Sequence, residues 1–209
     1  MAKVMLDLFS GTGSVAKVAR KQGWGTVTLD RDLPADIQID IMDWDCTSFH
    51  EKFFDFVWAS PPCTEYSRAK TTAPRDIESA NNIVERTLKV IDFLKPDFWV
   101  IENPESGLLK NQPMMQGIPY VDVDYCKYGM PYRKRTRLWS NRADKLRDIL
   151  KPLCKRDCDS MDETRKRHIE SAQRMPQGKA SQWGERRQFK REDLYKIPEG
   201  LIEDILRAY

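Results

Sequence analysis

The sequence predicts an α/β fold, a mostly parallel sheet with helices on both faces, followed by a small irregular basic C-terminal region. Short apolar runs of strand length recur at residues 4–9, 25–29, 53–59 and 98–101. Helical periodicities at residues 14–22 and 76–94 lie between them. Strands alternating with helices imply parallel pairing through right-handed crossovers, because a parallel neighbour is reached only by a long connection over one face of the sheet.

In chain order, residues 4–9 form a strand that runs into the turn Ser10-Gly11-Thr12-Gly13. The helix over 14–22 places Val15, Val18 and Ala19 on one face and ends at Gly23. Residues 25–29 are a second strand stopping at Asp30, and a short strand over 37–39 precedes Asp40. The apolar run 53–59 reads as a buried strand leading to Ser60-Pro61-Pro62-Cys63. The Cys63 thiol is thereby expected at a strand's carboxyl end, where open α/β sheets bind ligands. Residues 64–75 are polar, contain Ser67, Arg68, Lys70 and Pro74, and read as a mobile loop. Ile77, Ile83, Val84, Leu88 and Ile91 make the 76–94 helix amphipathic, with Pro96 closing it. The strand over 98–101 ends on Glu102-Asn103-Pro104. Residues 120–125 and 137–140 supply two more strands around the turn Tyr128-Gly129-Met130-Pro131. Residues 151–192 are polar, with scattered Trp183 and Phe189. Pro198 opens a last helix whose Leu201, Ile202, Ile205 and Leu206 form one apolar face, which should dock on the main body. The expected division is a catalytic unit over 1–140, a small basic region over 141–196, and the docking helix over 197–209.

A chain of 209 residues buries one ordinary core. No apolar run approaches the roughly 20 residues needed to span a bilayer. The N-terminus enters a strand without the features of a secretory signal, and five cysteines in that context suit reduced thiols, so a cytoplasmic location is expected. The basic excess is C-terminal. Residues 1–140 hold 18 Lys and Arg against 19 Asp and Glu, a charge of −1, whereas residues 141–209 hold 17 against 13, a charge of +4. That distribution suits a polyanion.

Glycine turn, thiol and carboxylate, each at a strand end and in that order, resemble motifs I, IV and VI of the DNA cytosine-5 methyltransferases. The resemblance implies a Rossmann-like S-adenosylmethionine-dependent methyltransferase fold. It also implies methyl transfer to carbon 5 of a cytosine flipped out of duplex DNA, with S-adenosylhomocysteine as product. By the same resemblance, Phe9 stacks on the adenine side, and Ser10, Gly11, Thr12, Gly13 and Ser14 line the methionine portion. Asp30 holds the ribose, Asp40 and Ile41 meet the adenine, and Arg31 stands where the family often has tryptophan. Pro61 joins the cofactor contacts. Cys63 is the nucleophile that adds to carbon 6, because carbon 5 becomes nucleophilic only after such an addition. Glu102 donates to ring nitrogen 3. Ser67, Arg68 and Asn103 are expected at the substrate, with Arg68 and Lys70 near phosphates as the loop closes over the base.

The segment Tyr128 to Arg137 resembles motif VIII, and Arg135 and Arg137 match its arginine pair. Alternating on an extended segment, they point to one face, where they can grip a phosphate or the ring carbonyl. Arg133 replaces the family's glutamine, Thr64 replaces the glutamine after the nucleophile, and Pro104 replaces the commoner valine. Residues 197–201 echo motif X. Fewer than 60 residues separate Asn141 from Pro198, so the family's large target-recognition domain is missing and the chain resembles a compact, phage-like member. A transfer-RNA cytosine-5 methyltransferase, or a silent cofactor-binding accessory protein, are the alternatives, and a partner chain that supplies specificity fits the compact span.

Cys154, Cys158 and His168 form a Cys-x3-Cys-x9-His arrangement. Structural zinc needs four ligands and no fourth stands out, Cys126 and His50 being distant in sequence, so no metal site is expected.

Overall fold

The computed structural model describes residues 2–71, 73–170 and 191–209. Trp183 and Phe189 lie outside them. The elements are β1 (Val4–Leu8), α1 (Ser14–Lys21), β2 (Gly25–Asp30), β3 (Ile37–Gln38), β4 (Phe56–Ala59), α2 (Ile77–Leu94), β5 (Phe98–Pro104), β6 (Tyr120–Asp124), β7 (Arg135–Ser140), α3 (Ala143–Ile149), α4 (Arg191–Tyr195) and α5 (Glu199–Arg207). The strands form one sheet in the order β3-β2-β1-β4-β5-β7-β6. Pairing is parallel from β3 to β5, and β7 runs antiparallel to both β5 and β6. This is the expected α/β class. The β6–β7 connection is too short for a crossover helix, so the strand must return antiparallel. It turns through the 3-10 segment Tyr125–Tyr128 and Gly129, whose φ of 87° is the left-handed region that glycine enters without strain.

Side chains alternate across the sheet and build a core on each face. Phe56, Trp58, Phe98 and Val100 face α1 and α5, together with Val15, Val18, Leu201 and Ile205. Val57, Ala59, Ile101 and Trp139 face α2, with Val84, Ile91 and Leu94. In α5, Leu201, Ile202, Ile205 and Leu206 are all buried, each worth about 1.5–3 kcal/mol relative to exposure. Lys21 and Glu199, 2.7 Å apart, edge the α1–α5 contact. Tyr209 closes the chain, its hydroxyl donating to Asp55 at 3.1 Å beside the start of β4.

Helix α2 begins where the Asp76 side chain accepts from Ser79 N (3.0 Å) and ends at Lys95 in the left-handed region, before Pro96. Its buried face is Ala80, Val84, Thr87, Val90, Ile91 and Leu94. Ile77, Ile83 and Leu88 only flank that face. Strand β7 begins at Arg135, two residues before the expected start, because Arg135 pairs with Asp124 in the ladder. Helix α3 escapes sequence reading because it buries little more than Ala143 and Leu146. Among the described residues no helix is long and apolar enough to cross a membrane.

Within β1, Asp7 is fully buried and accepts a 3.2 Å hydrogen bond from Ala16 N in the first turn of α1. It ties the strand to the helix that flanks the glycine turn. Burial pushes its carboxyl up to about 7 against that hydrogen bond. A carboxyl whose folded value is raised contributes stability that is full below its unfolded value near 3.8 and is lost as pH rises through about 7. Asp7→Asn should therefore gain stability relative to the natural chain as pH rises from 4 to 7, by up to about 1.4 kcal/mol per pH unit, and level off above 7. Urea midpoints of both chains at several pH values decide it, and a difference constant with pH would show that Asp7 does not titrate there.

Candidate active site

The strand order reverses between β1 and β4, whose following connections leave from opposite faces, and the crevice outside their carboxyl ends is the ligand position of such a sheet. The loops after these two strands form its walls. After β1, Phe9 takes a left-handed φ of 60°, and Gly13, at φ 74°, begins α1. Ser10 N donates to Leu29 O (3.0 Å) and Gly13 N to Ser10 O (2.8 Å), so the turn is closed on itself and on β2. Thr12 and Ser14 lie along the same turn, partly exposed. Asp30 joins two loops. One carboxylate oxygen accepts from Gly11 N at 2.9 Å, and the other accepts from Asp32 N and Leu33 N, both at 2.9 Å. A carboxylate offers about four acceptor sites, so three donors leave room for one more.

Arg31 is exposed and bound to Asp32 (3.0 Å) and Asp40 (3.3 Å). Asp40 also caps its own turn, accepting from Met42 N at 2.9 Å. Ile41 departs from its expected place: its side chain is buried in the core, and its carbonyl accepts from Arg86 at 3.1 Å.

The cysteine loop hangs from β4. Ser60 N donates to Leu8 O (3.2 Å), and Trp58 Nε1 donates to Ser60 Oγ (2.9 Å). Asn103 is fully buried and donates from Nδ2 to Pro61 O at 2.9 Å. Asn103, expected at the substrate, thus ties β5 to the loop that carries the nucleophile candidate. Two prolines with fixed φ stiffen the approach to Cys63, whose thiol is free of any disulfide and half-buried.

The described residues between 64 and 75 carry more internal hydrogen bonds than a loose loop would, gathered around one buried ring and one arginine. Tyr66 is fully buried, with its hydroxyl on Asn81 at 2.9 Å. Arg75 donates to three carbonyls, those of Glu65, Ser67 and Lys70. Lys70 is held by Glu65 at 2.6 Å. Ser67 Oγ accepts from Ala69 N (3.2 Å), and Arg68 is exposed.

Glu102 is buried on the α1/α5 face of β5. Tyr125 donates to its Oε1 at 3.0 Å, and Lys134 Nζ lies 3.9 Å from the same oxygen. Burial, reinforced by the adjacent Glu102 charge, pushes the Tyr125 hydroxyl well above its ordinary range, so it stays a donor. The β5–β7 register pairs Glu102 with Leu138 and Asn103 with Arg137, so Arg135 and Arg137 project from the face opposite Glu102. Their forks are taken by carboxylates: Arg135 meets Asp124 at 3.1 and 2.9 Å, and Arg137 meets Asp122 at 2.8 and 2.9 Å. Burial alone would raise the Asp124 carboxyl, but its bonds from Arg135, Arg133 and Cys154 N hold it below the usual range. These pairs brace β6 against β7, and the outer edge of each guanidinium remains able to donate. The cation beside Glu102 is Lys134.

Lys134, Tyr125 and the acidic partners were missed by sequence reasoning. A usable signal existed for the last of these, since Asp122 and Asp124 alternate as Arg135 and Arg137 do, the mark of complementary charges on one face of a hairpin. Cys126, distant in sequence, packs beside Cys154, Cys158 and His168.

A scan against protein-family profiles matches none of them. Over 223 aligned positions the chain is 32% identical to a protein of frog virus 3 (isolate Goorha) described as "Probable DNA (cytosine-5)-methyltransferase", covering 97% of this chain and 98% of that one. Among solved structures it resembles an E. coli protein described as a "putative DNA modification methyltransferase encoded within prophage", with a TM-score of 0.50 and 17% identity. That likeness covers 72% of this chain and 51% of the other, so the chain spans about half its length, and it supports the methyltransferase fold. With an almost coextensive relative above 30% identity, the chain belongs to the DNA (cytosine-5) methyltransferase family.

Proposed function

We propose that the chain transfers a methyl group from S-adenosylmethionine to carbon 5 of a cytosine flipped out of duplex DNA, through a covalent bond between Cys63 Sγ and carbon 6. The observation that carries this reading is the tie between the two reactive groups. Asn103 holds the Pro61 carbonyl of the Cys63 loop and is the next residue after Glu102, so thiol and carboxyl are anchored to one strand end beside the switch-point crevice.

The residues present fit the methyl donor. Ser10 Oγ is buried without a hydrogen-bond partner among the described residues, a hydroxyl that a ligand group would satisfy. Gly11 and Gly13 carry no side chain to obstruct the turn at their positions, Phe9 offers a partly exposed ring, and Asp30 retains acceptor capacity for a ribose hydroxyl. When bound, S-adenosylmethionine supplies an electrophilic methyl group and leaves as S-adenosylhomocysteine. Cys63, as thiolate, adds to carbon 6 while protonated Glu102 donates to ring nitrogen 3, which turns carbon 5 into the nucleophile. After methyl transfer, loss of the carbon 5 proton to water expels the Cys63 thiolate and restores the ring double bond, and nitrogen 3 returns its proton to Glu102. Tyr125 orients Glu102, while Arg135 and Arg137 brace the adjoining hairpin.

On this reading residues 1–140 are the catalytic unit and residues 141–196, with their basic excess, a reduced reader or lid that meets the duplex mainly at phosphates. Arg68, exposed beside the cysteine loop, and Ser67 would meet the target strand. The test is covalent trapping. A duplex carrying 5-fluorocytosine should form a denaturation-resistant adduct that needs both the methyl donor and Cys63. Preference for fluorinated RNA would move the substrate to transfer RNA, and trapping of neither would remove the covalent mechanism.

A further inference from the structure

Four side chains with ligand chemistry converge away from the crevice. Cys126 lies on the turn Tyr125–Tyr128 after β6, while Cys154, Cys158 and His168 come from the segment beyond α3. Their four candidate ligand atoms all lie within 4.8 Å of one another. Cys154 Sγ is 3.6 Å from His168 Nε2. A tetrahedral zinc with bonds of about 2.3 Å to sulfur and 2.0–2.1 Å to nitrogen has S···N edges of about 3.6 Å and S···S edges of about 3.8 Å. One edge already has the zinc length, and the rest need to close by no more than about 1 Å to meet that geometry. All three thiols are buried and none forms a disulfide. Three soft sulfurs and an imidazole select zinc over magnesium or calcium, and four protein ligands leave no open position for chemistry.

The local backbone supports the same assignment. Arg156 N donates to Cys154 Sγ at 3.3 Å, in a turn where Arg156 itself takes a left-handed φ of 69°. Such N–H···S bonds are the outer contacts that orient a metal thiolate. Among the described residues the apolar cluster here is Cys126, Cys154, Cys158 and Met161, a small core against the roughly 1–2 kcal/mol that fixing each backbone residue costs. A structural zinc, worth about 10–16 kcal/mol in small zinc domains, is of the size required.

We propose that Cys126, Cys154, Cys158 and His168 bind one structural zinc ion, which staples the segment after α3 to the end of β6. The staple reaches towards the active site. Asp124, two residues before Cys126, accepts from Cys154 N at 3.0 Å while holding Arg135, and Tyr125, the residue before Cys126, donates to Glu102.

The test uses the full chain, purified without chelator and dialysed against metal-free buffer. Elemental analysis should find one zinc per chain, and the Cys63→Ser variant should hold the same amount. Cobalt titrated into the apo chain should give the intense visible bands of a tetrahedral site together with thiolate-to-metal charge transfer. His168→Cys should keep the metal as a four-thiolate site, whereas His168→Ala should lose most of it. A natural chain that carries no zinc and gives no tetrahedral cobalt spectrum would overturn the proposal, as would loss of metal from Cys63→Ser. Unchanged metal content in His168→Ala would remove His168 from the ligand set.

Discussion

Cys63→Ser should reduce methyl transfer by about four orders of magnitude or more, the scale seen when a covalent nucleophile is removed. Serine is nearly the same size, so the Pro61–Pro62 approach and its Asn103 tie should survive. What changes is chemistry: a hydroxyl is far less acidic than a thiol and does not add to carbon 6 without a strong base. Affinity for S-adenosylmethionine should stay within about twofold, because the glycine turn and Asp30 hang from β1 and β2 and are bonded to one another independently of residue 63. Calorimetry for the cofactor and tritium transfer from labelled donor to DNA separate the two effects. Near-normal turnover by the serine variant would take Cys63 out of the mechanism.

Glu102→Gln should slow methyl transfer by about 10²- to 10⁴-fold, the usual worth of a positioned general acid. The amide keeps the shape of the side chain and still accepts from Tyr125, so folding and cofactor affinity should hold while the transferable proton is lost. Trapping of fluorocytosine should slow in the same proportion, since the proton assists adduct formation itself. Tyr125→Phe should cost about 10- to 100-fold, because its contact with Glu102 is one hydrogen bond of about 1.5–3 kcal/mol. If both act through the same carboxyl, the double variant should be little worse than Glu102→Gln alone. A Glu102→Gln enzyme with unimpaired trapping would assign nitrogen 3 to another donor, and Lys134 is the group to examine next.

Legible in the sequence were the α/β class, most of the parallel strands, the apolar faces of the helices, and Cys63 just beyond a strand; Glu102 was expected at a strand end but lies two residues inside β5, which pairs with β7 as far as Pro104. These features are local. Strand and helix periods are written over windows of a few residues, and a glycine turn or a proline pair carries its conformation with it. Tertiary structure decided everything that depends on pairing. Residues 64–75 read as loose because their polar composition hides one fully buried ring, Tyr66, and one arginine, Arg75, that closes three carbonyls. Arg135 and Arg137 read as ligands for DNA because nothing within their own segment shows that Asp122 and Asp124 stand opposite them in the register. Ile41 read as a cofactor contact, yet its side chain is spent on the core. Cys126 was set aside as too far from Cys154, Cys158 and His168, but the antiparallel return of β7 and the path beyond α3 bring all four together. Sequence separation measures the chain between two groups, whereas chemistry depends on the space between them, and only the folded sheet converts one into the other.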